Sequence, residues 1–163
     1  MAQNLEPADS GGLVLDRLRG MLLALLLAGM LGTAAELCLL RHFEKIPQRI
    51  PLVVLGAGTL SGAALLLRPG RAALRLFQAV MGTALAAGLL GVCLHLQGNA
   101  EFERERSPSL DGAALLWKSL RGATPALAPL ALAQLGLLGL VATYRHPRVR
   151  NPPATARPPQ EDH

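Results

Sequence analysis

Four long apolar stretches divide this chain, and each approaches the thickness of a lipid bilayer. They cover residues 20–40, 50–67, 72–96 and 123–144. At about 1.5 Å of rise per residue, a helix of 21 residues reaches about 30 Å, which is the thickness of the hydrocarbon layer. The sequence therefore predicts an all-α integral membrane protein whose core is a transmembrane bundle of four helices.

The balance of charged and apolar residues agrees with this prediction. Hydrophobic residues make up 51% of the chain and charged residues only 17%, whereas soluble domains carry about 25% charged residues. The net charge of +5 would suit a nucleic-acid partner, but the basic residues stand in short clusters at the ends of the apolar stretches. Basic residues in those places orient membrane proteins. We therefore expect the lipid bilayer as the environment and no nucleic-acid partner.

The distribution of Lys and Arg predicts the orientation of the helices. Nine of the 16 basic residues fall on the side of the two termini and the second connection, and seven fall on the other side. The second connection is short, has three Arg residues and has no acid, so it favours the cytoplasm. Both termini are therefore predicted to be cytoplasmic. The preference for Arg over Lys and the abundance of Ala and Leu indicate a bacterial protein of the cytoplasmic (inner) membrane.

Three regions follow from these patterns. Residues 1–19 form a polar tail and an amphipathic lead-in, residues 20–144 form the transmembrane domain, and residues 145–163 form a basic, Pro-rich tail that is predicted to be disordered. The third connection, 97–122, is predicted to contain a short interfacial helix near 110–120. The first apolar stretch continues past the small residues 33–35 to Leu40, which favours a spanning helix over a cleaved signal peptide.

Small residues recur at helical spacing in every apolar stretch, as in the Gly58 and Gly62 pair. In lipid, such faces let helix backbones approach closely. We therefore expect each of these faces to be a helix contact. Gln134, in the middle of the fourth stretch, is expected to face the interior and to find a hydrogen-bond partner there.

The candidate functional site is a group of polar and ionisable residues at the predicted outer ends of the first and third helices. Glu36 is the strongest single candidate, because a carboxylate inside a spanning helix is a functional candidate by default. The alternative, which the sequence favours slightly, is a structural role in which Glu36 snorkels outward or caps the loop through hydrogen bonds. It shares a small-residue stripe with Gly29 and Gly32, as His95 does with Gly88 and Gly91. This similarity motivates the hypothesis that Glu36 faces the interior and pairs with His95. The group consists of Glu36, His42, Glu44, His95, Asn99, Glu101 and Glu103.

No spacing in this group indicates a metal or a cofactor. Cys38 and Cys93 lie in apolar stretches without a CxxC pattern, so both are expected to be small buried residues. A metal site of Cys, His and Glu, or a haem held by His42 and His95, stays open as an alternative. The alternating charges of residues 101–106 are typical of a solvated helical face. We therefore expect no metal and no cofactor.

Three classes of function are compatible with these patterns. The favoured one is a non-catalytic accessory or assembly component that binds a larger membrane complex or forms a homo-oligomer, since no catalytic constellation lies on a rigid element. The second is a small proton- or ion-coupled transporter that uses Glu36. The third is a membrane enzyme or a metal or haem protein that uses the outer His and Glu residues.

Overall fold

The computed structural model describes residues 10–144, and these residues contain helices and no strand. Residues 1–9 and the whole C-terminal tail that is predicted to be disordered, 145–163, lie outside the described residues. The predicted lead-in is not a separate element, because it is continuous with the first helix. The helices are α1 (Ser10–Leu39), α2 (Ile46–Leu67), α3 (Arg71–Arg106), α4 (Gly112–Leu120) and α5 (Leu130–Ala142).

Three of these helices are long enough and apolar enough to cross a membrane: α1 from Gly11 onward, α2 and α3. Their length and composition indicate a membrane protein. The helix α5 is also apolar, but it has only 13 residues. At about 1.5 Å per residue, α5 alone reaches about 20 Å, which is less than the thickness of the hydrocarbon layer.

The fourth apolar stretch is shorter as a helix than predicted because it contains two prolines. Pro129 has no N–H to donate to the carbonyl of Pro125, so the regular α-helical hydrogen bond between them is missing. Residues 125–129 instead form a tighter turn, in which the Ala128 N–H donates to Pro125 O at 3.2 Å and the Leu130 N–H donates to Leu127 O at 3.0 Å. The tightened turn leads directly into α5.

The four apolar helices pack side by side around one core. The helices α1 and α3 each contact both α2 and α5, so α5 fills the space between α1 and α3. The chain directions of α1 and α3 match, and the end at which both helices finish is here called the cap end. The core is built mainly of aliphatic residues, with one aromatic ring: Leu23, Leu26, Met30, Val54, Leu55, Leu65, Leu74, Phe77, Met81, Ala84 and Leu132.

The closest helix contact joins α3 and α5 through glycines on both helices. A Cβ atom placed on Gly136 of α5 would lie 2.5 Å from the backbone nitrogen of Leu85 and 2.6 Å from the carbonyl oxygen of Met81. A Cβ atom on Gly88 of α3 would collide with the backbone of Ala133. The two backbones therefore touch directly, as expected where small residues mediate the packing of helices in lipid.

The small-residue faces of the other helices are used unequally. Gly58 and Gly62 of α2 are buried and contact side chains, including Met30 and Leu27 of α1. Gly29 of α1 faces Leu135 of α5, whereas Gly32 faces open space. The expectation that these faces are helix contacts is therefore confirmed for α2, α3 and α5, and only in part for α1.

The helix α3 continues past its apolar stretch to Arg106 and supports a cap, defined here as residues 97–122. At about 1.5 Å per residue, the last ten residues of α3 extend about 15 Å beyond that stretch. The short helix α4 packs against this extension through Leu115 and Ser119, while Leu116 and Trp117 are exposed. The predicted short helix in the third connection is thus present.

Candidate functional site

Asn99 is the centre of the polar interactions at the cap end. Its side chain is 3% exposed, and its Nδ2 donates to Ser119 O and to Thr124 O, at 2.8 Å each. Its Oδ1 accepts from the Thr124 backbone N–H at 3.2 Å and from the Thr124 hydroxyl at 2.7 Å. This one carboxamide therefore joins α3 to the end of α4 and to the connection that enters α5.

His95 lies one turn before Asn99 and makes a second link to the same connection. Its Nδ1 lies 3.0 Å from the carbonyl oxygen of Pro125. A carbonyl oxygen can only accept, so Nδ1 carries the hydrogen. Pro125 O has room for this bond because the ring nitrogen of Pro129 cannot donate to it. His95 and Asn99 together fix the connection against α3.

The two acidic candidates on α3 also have partners within the cap. Glu101 accepts a hydrogen bond from Gln97 Nε2 at 3.0 Å. The carboxylate of Glu103 lies 3.9 Å from the Lys118 ammonium, and the Glu103 side chain is 15% exposed. The charged run is helical, as α3 includes it. Of the two acids, Glu103 joins α4 to α3, whereas the Glu101 contact lies within α3.

The remaining candidates, Glu36, His42 and Glu44, lie at the end of α1 and in the turn that follows. Arg41 has a φ of 53° and ends the helix in the left-handed conformation. The His42 N–H donates to Leu37 O at 2.8 Å, which closes the helix end. Glu44 pairs with Arg41 at 3.6 Å on the exposed surface, where such a pair adds little stability.

The hypothesis that Glu36 faces the interior and pairs with His95 is wrong. Glu36 is exposed, and His95 bonds to Pro125 O. The physical reason is the position of α5. The small-residue stripe of α3 contacts α5 through Gly88 and the turn before α5 through Gly91, so it is not available to α1. Within residues 10–144, Glu36 has no side-chain hydrogen bond or ion pair.

The structure therefore divides the seven candidates between two places. His95, Asn99, Glu101 and Glu103 belong to the α3 side and the cap, whereas Glu36, His42 and Glu44 belong to the end of α1. No hydrogen bond or ion pair joins the two groups in the described part of the chain. Among residues 10–144, no three His, Cys, Asp or Glu side chains are placed to hold a metal ion.

Two expectations about single residues are also wrong. Cys38 and Cys93 are exposed rather than buried. Gln134 is exposed on α5, and it has no side-chain hydrogen bond within the described residues. The contacts of α5 with α3 and α1 include its glycines, Ala133 and Leu135, and Gln134 lies on the exposed face.

Gln78 is a polar residue that sequence reasoning did not single out. Its Nε2 donates to the carbonyl oxygen of Thr143 at 3.3 Å and so satisfies an acceptor at the end of α5. The only sequence signal for this role is a polar side chain within an apolar stretch. Residues 124–143, which include α5, are here called the α5 segment. The helix α3 holds one end of this segment through Gln78 and the other end through His95 and Asn99.

A cleft of about 400 Å³ is lined by residues of both the α3 extension and α4. Leu96, Ala100 and Leu116 give it apolar walls, and Arg104 provides a cationic group at its edge.

Comparisons with protein-family models, curated proteins and solved structures found no match.

Proposed function

We propose that this chain is a multi-pass protein of the bacterial inner membrane with four spans and cytoplasmic termini. Three candidate spans support this topology. The fourth span would run from Pro125 to Tyr144, where the tightened turn adds about 2 Å per residue to the length of α5. Together the turn and the helix reach about 30 Å, enough to cross the hydrocarbon layer.

Within that membrane we propose a non-catalytic role, in which the protein binds a larger membrane protein as an accessory or assembly component. The observation that carries this proposal is the outward position of Glu36. Its carboxylate lies about one turn inside the end of α1, on the exposed surface. A carboxylate at such a depth is costly unless it meets a cation or a hydrogen-bond donor. A basic residue of a neighbouring protein, near the cap end, would supply that partner.

The polar side chains of α3 support the same proposal because they are used in holding the fold. Asn99, His95 and Gln78 fix the two ends of the α5 segment. Glu36 is left available for an external contact. A proton- or ion-coupled transporter that uses Glu36 is the second candidate, favoured by the same exposed carboxylate. In that case the proton or ion would move along the outside of α1, between this protein and a neighbouring protein.

A photo-reactive residue at Ala35, which is exposed beside Glu36, tests the proposed contact in native membranes. We expect one protein adduct of defined mass at Ala35. It should be retained in Glu36→Asp and lost in Glu36→Ala, because only Asp keeps the charge. Val53, exposed on α2, is the control position and should give lipid adducts only.

Lipid adducts alone at both positions would contradict the accessory role. An adduct that persists in Glu36→Gln, together with loss of substrate or ion uptake in the same variant, would favour the transporter instead.

A further inference from the structure

The outward face of α5 has a regular pattern of large side chains. Leu130, Leu137 and Val141 of the helix are exposed, and so are Leu127 before it and Tyr144 after it. Together with Gln134, these residues alternate in steps of three and four along the chain. A spacing of 3.5 residues on average is the pattern by which two helices cross at a shallow left-handed angle. We call the six residues the α5 stripe.

Gln134 is the polar member of the α5 stripe and lies at its centre. It stands midway between Pro125 and Tyr144, level with the α3 residues beside Gly88. At that depth no water is present to satisfy the carboxamide. Thr83 also faces outward, but its hydroxyl donates to Ala79 O of its own helix at 3.1 Å. The Gln134 side chain makes no equivalent hydrogen bond within its own helix among the described residues.

We propose that the α5 stripe is a homodimer interface in which Gln134 of one copy hydrogen-bonds to Gln134 of a second copy. Two copies with the same orientation in a membrane are related by a two-fold axis along the membrane normal. Equal residues of two α5 helices then meet at equal depth. A carboxamide both donates and accepts, so it is complementary to itself, and two of them form reciprocal hydrogen bonds.

The exposed face of α2 lacks the polar residue that the α5 stripe has. Its large exposed residues, Ile50, Val53, Leu60 and Leu67, are all aliphatic, so lipid satisfies that face completely. The α5 stripe combines aliphatic side chains with one amide, as in membrane helices that associate through interhelical hydrogen bonds. The interface rests on the proposed crossing of the membrane by α5, and it does not depend on the proposed contact of Glu36.

Disulfide trapping in membranes tests the interface directly. In the full chain with Cys38→Ala and Cys93→Ala, both at exposed positions, Leu137→Cys should form a disulfide between two copies on mild oxidation. The product should have twice the 17.1 kDa mass of the chain. Leu60→Cys, on the exposed face of α2, is the matched control and should stay monomeric. A Leu137→Cys that does not cross-link, or that cross-links only to a different protein, overturns the homodimer.

The role of the amide is tested by the dimer dissociation constant in mild detergent. Gln134→Leu should raise this constant by about tenfold, because the reciprocal hydrogen bonds are lost. Gln134→Asn, which keeps a carboxamide, should recover part of the affinity. The residue is exposed, so the melting temperature of the monomer should not change. A dissociation constant unchanged in Gln134→Leu overturns the proposal. Failure here would leave the Ala35 adduct unaffected, so it is distinguishable from a failure of the proposed accessory role.

Discussion

At the scale of single residues, the polar side chains of this protein divide into those satisfied inside the fold and those turned outward. Asn99 is the clearest inner case, since both donors and the acceptor of its carboxamide are used. Glu36 and Gln134 are the outer cases. Sequence spacing identified all three as notable, but it could not assign them to a side. Which face of a helix is covered depends on the neighbouring helix, which the spacing within one helix does not reveal.

Asn99→Ala should destabilise the protein by about 2–3 kcal/mol, because it leaves the polar groups of Thr124 and Ser119 without partners in a buried place. Thermal unfolding in mild detergent measures this loss. Gln97→Ala is the matched control on the same helix, since its bond to Glu101 is exposed, and it should change stability by less than about 0.5 kcal/mol. Equal losses in the two variants would show that the Asn99 hydrogen bonds do not stabilise the fold.

At the scale of elements, the contact between α3 and α5 determines the packing. The sequence has glycine faces on every apolar helix, and most of them do lie in contacts. It did not predict that α3 and α5 touch backbone to backbone. That contact depends on Gly88 and Gly136 being placed in register with Ala133 and Leu85, 45 or more residues away along the chain. Nor did the apolar length predict the start of α5, because Pro129 interrupts the helical hydrogen bonds there.

Gly136→Ala should destabilise the protein by about 1–3 kcal/mol, the usual cost of inserting atoms into a closely packed core. The added methyl group meets the backbone of α3, which cannot move aside as a side chain can. Gly82→Ala on α3 is the control, because a Cβ atom there has nothing within 4 Å. Unfolding in detergent compares the two. Similar stabilities would mean that α3 and α5 are farther apart than described.

Gly58→Ala should be milder than Gly136→Ala, although both glycines are buried. The atoms that a Cβ on Gly58 would meet are the end of the Met30 side chain at 2.8 Å and the end of Met81 at 3.1 Å. Methionine side chains are flexible and can rearrange, so we expect a loss below about 1 kcal/mol. The same unfolding measurement ranks the two variants, and the reverse order would contradict this account.

At the scale of the whole molecule, the apolar length of the sequence is enough to predict an all-helical membrane protein. It gives α2 within a few residues, because Arg68 and Pro69 end that stretch sharply. It places the end of α3 too early, since the charged run continues the helix to Arg106. The sequence predicts the candidate site as one cluster, but the site lies in two places because α5 packs between α1 and α3.

The proposed orientation predicts different labelling of two cysteines in intact cells. Ser109→Cys, in a background without Cys38 and Cys93, should react with a membrane-impermeant thiol reagent, because Ser109 is exposed in the cap. Thr155→Cys should react only after the cells are opened. Labelling of Thr155→Cys in intact cells would contradict a cytoplasmic C-terminus. Ser109 serves better than Asn99 as the external reporter, since Asn99 is buried.

Because α5 is attached to α3 at both ends, the membrane span that we propose for it has a fixed length. Gln78 holds the segment at Thr143, and His95 holds it at Pro125. The 17 helical steps between Gln78 and His95 measure about 26 Å along the axis. Because α5 cannot slide along α3 without breaking these bonds, the protein does not adjust to a thicker bilayer by stretching. In a thicker bilayer the surrounding lipids must thin, or the pair of helices must tilt less.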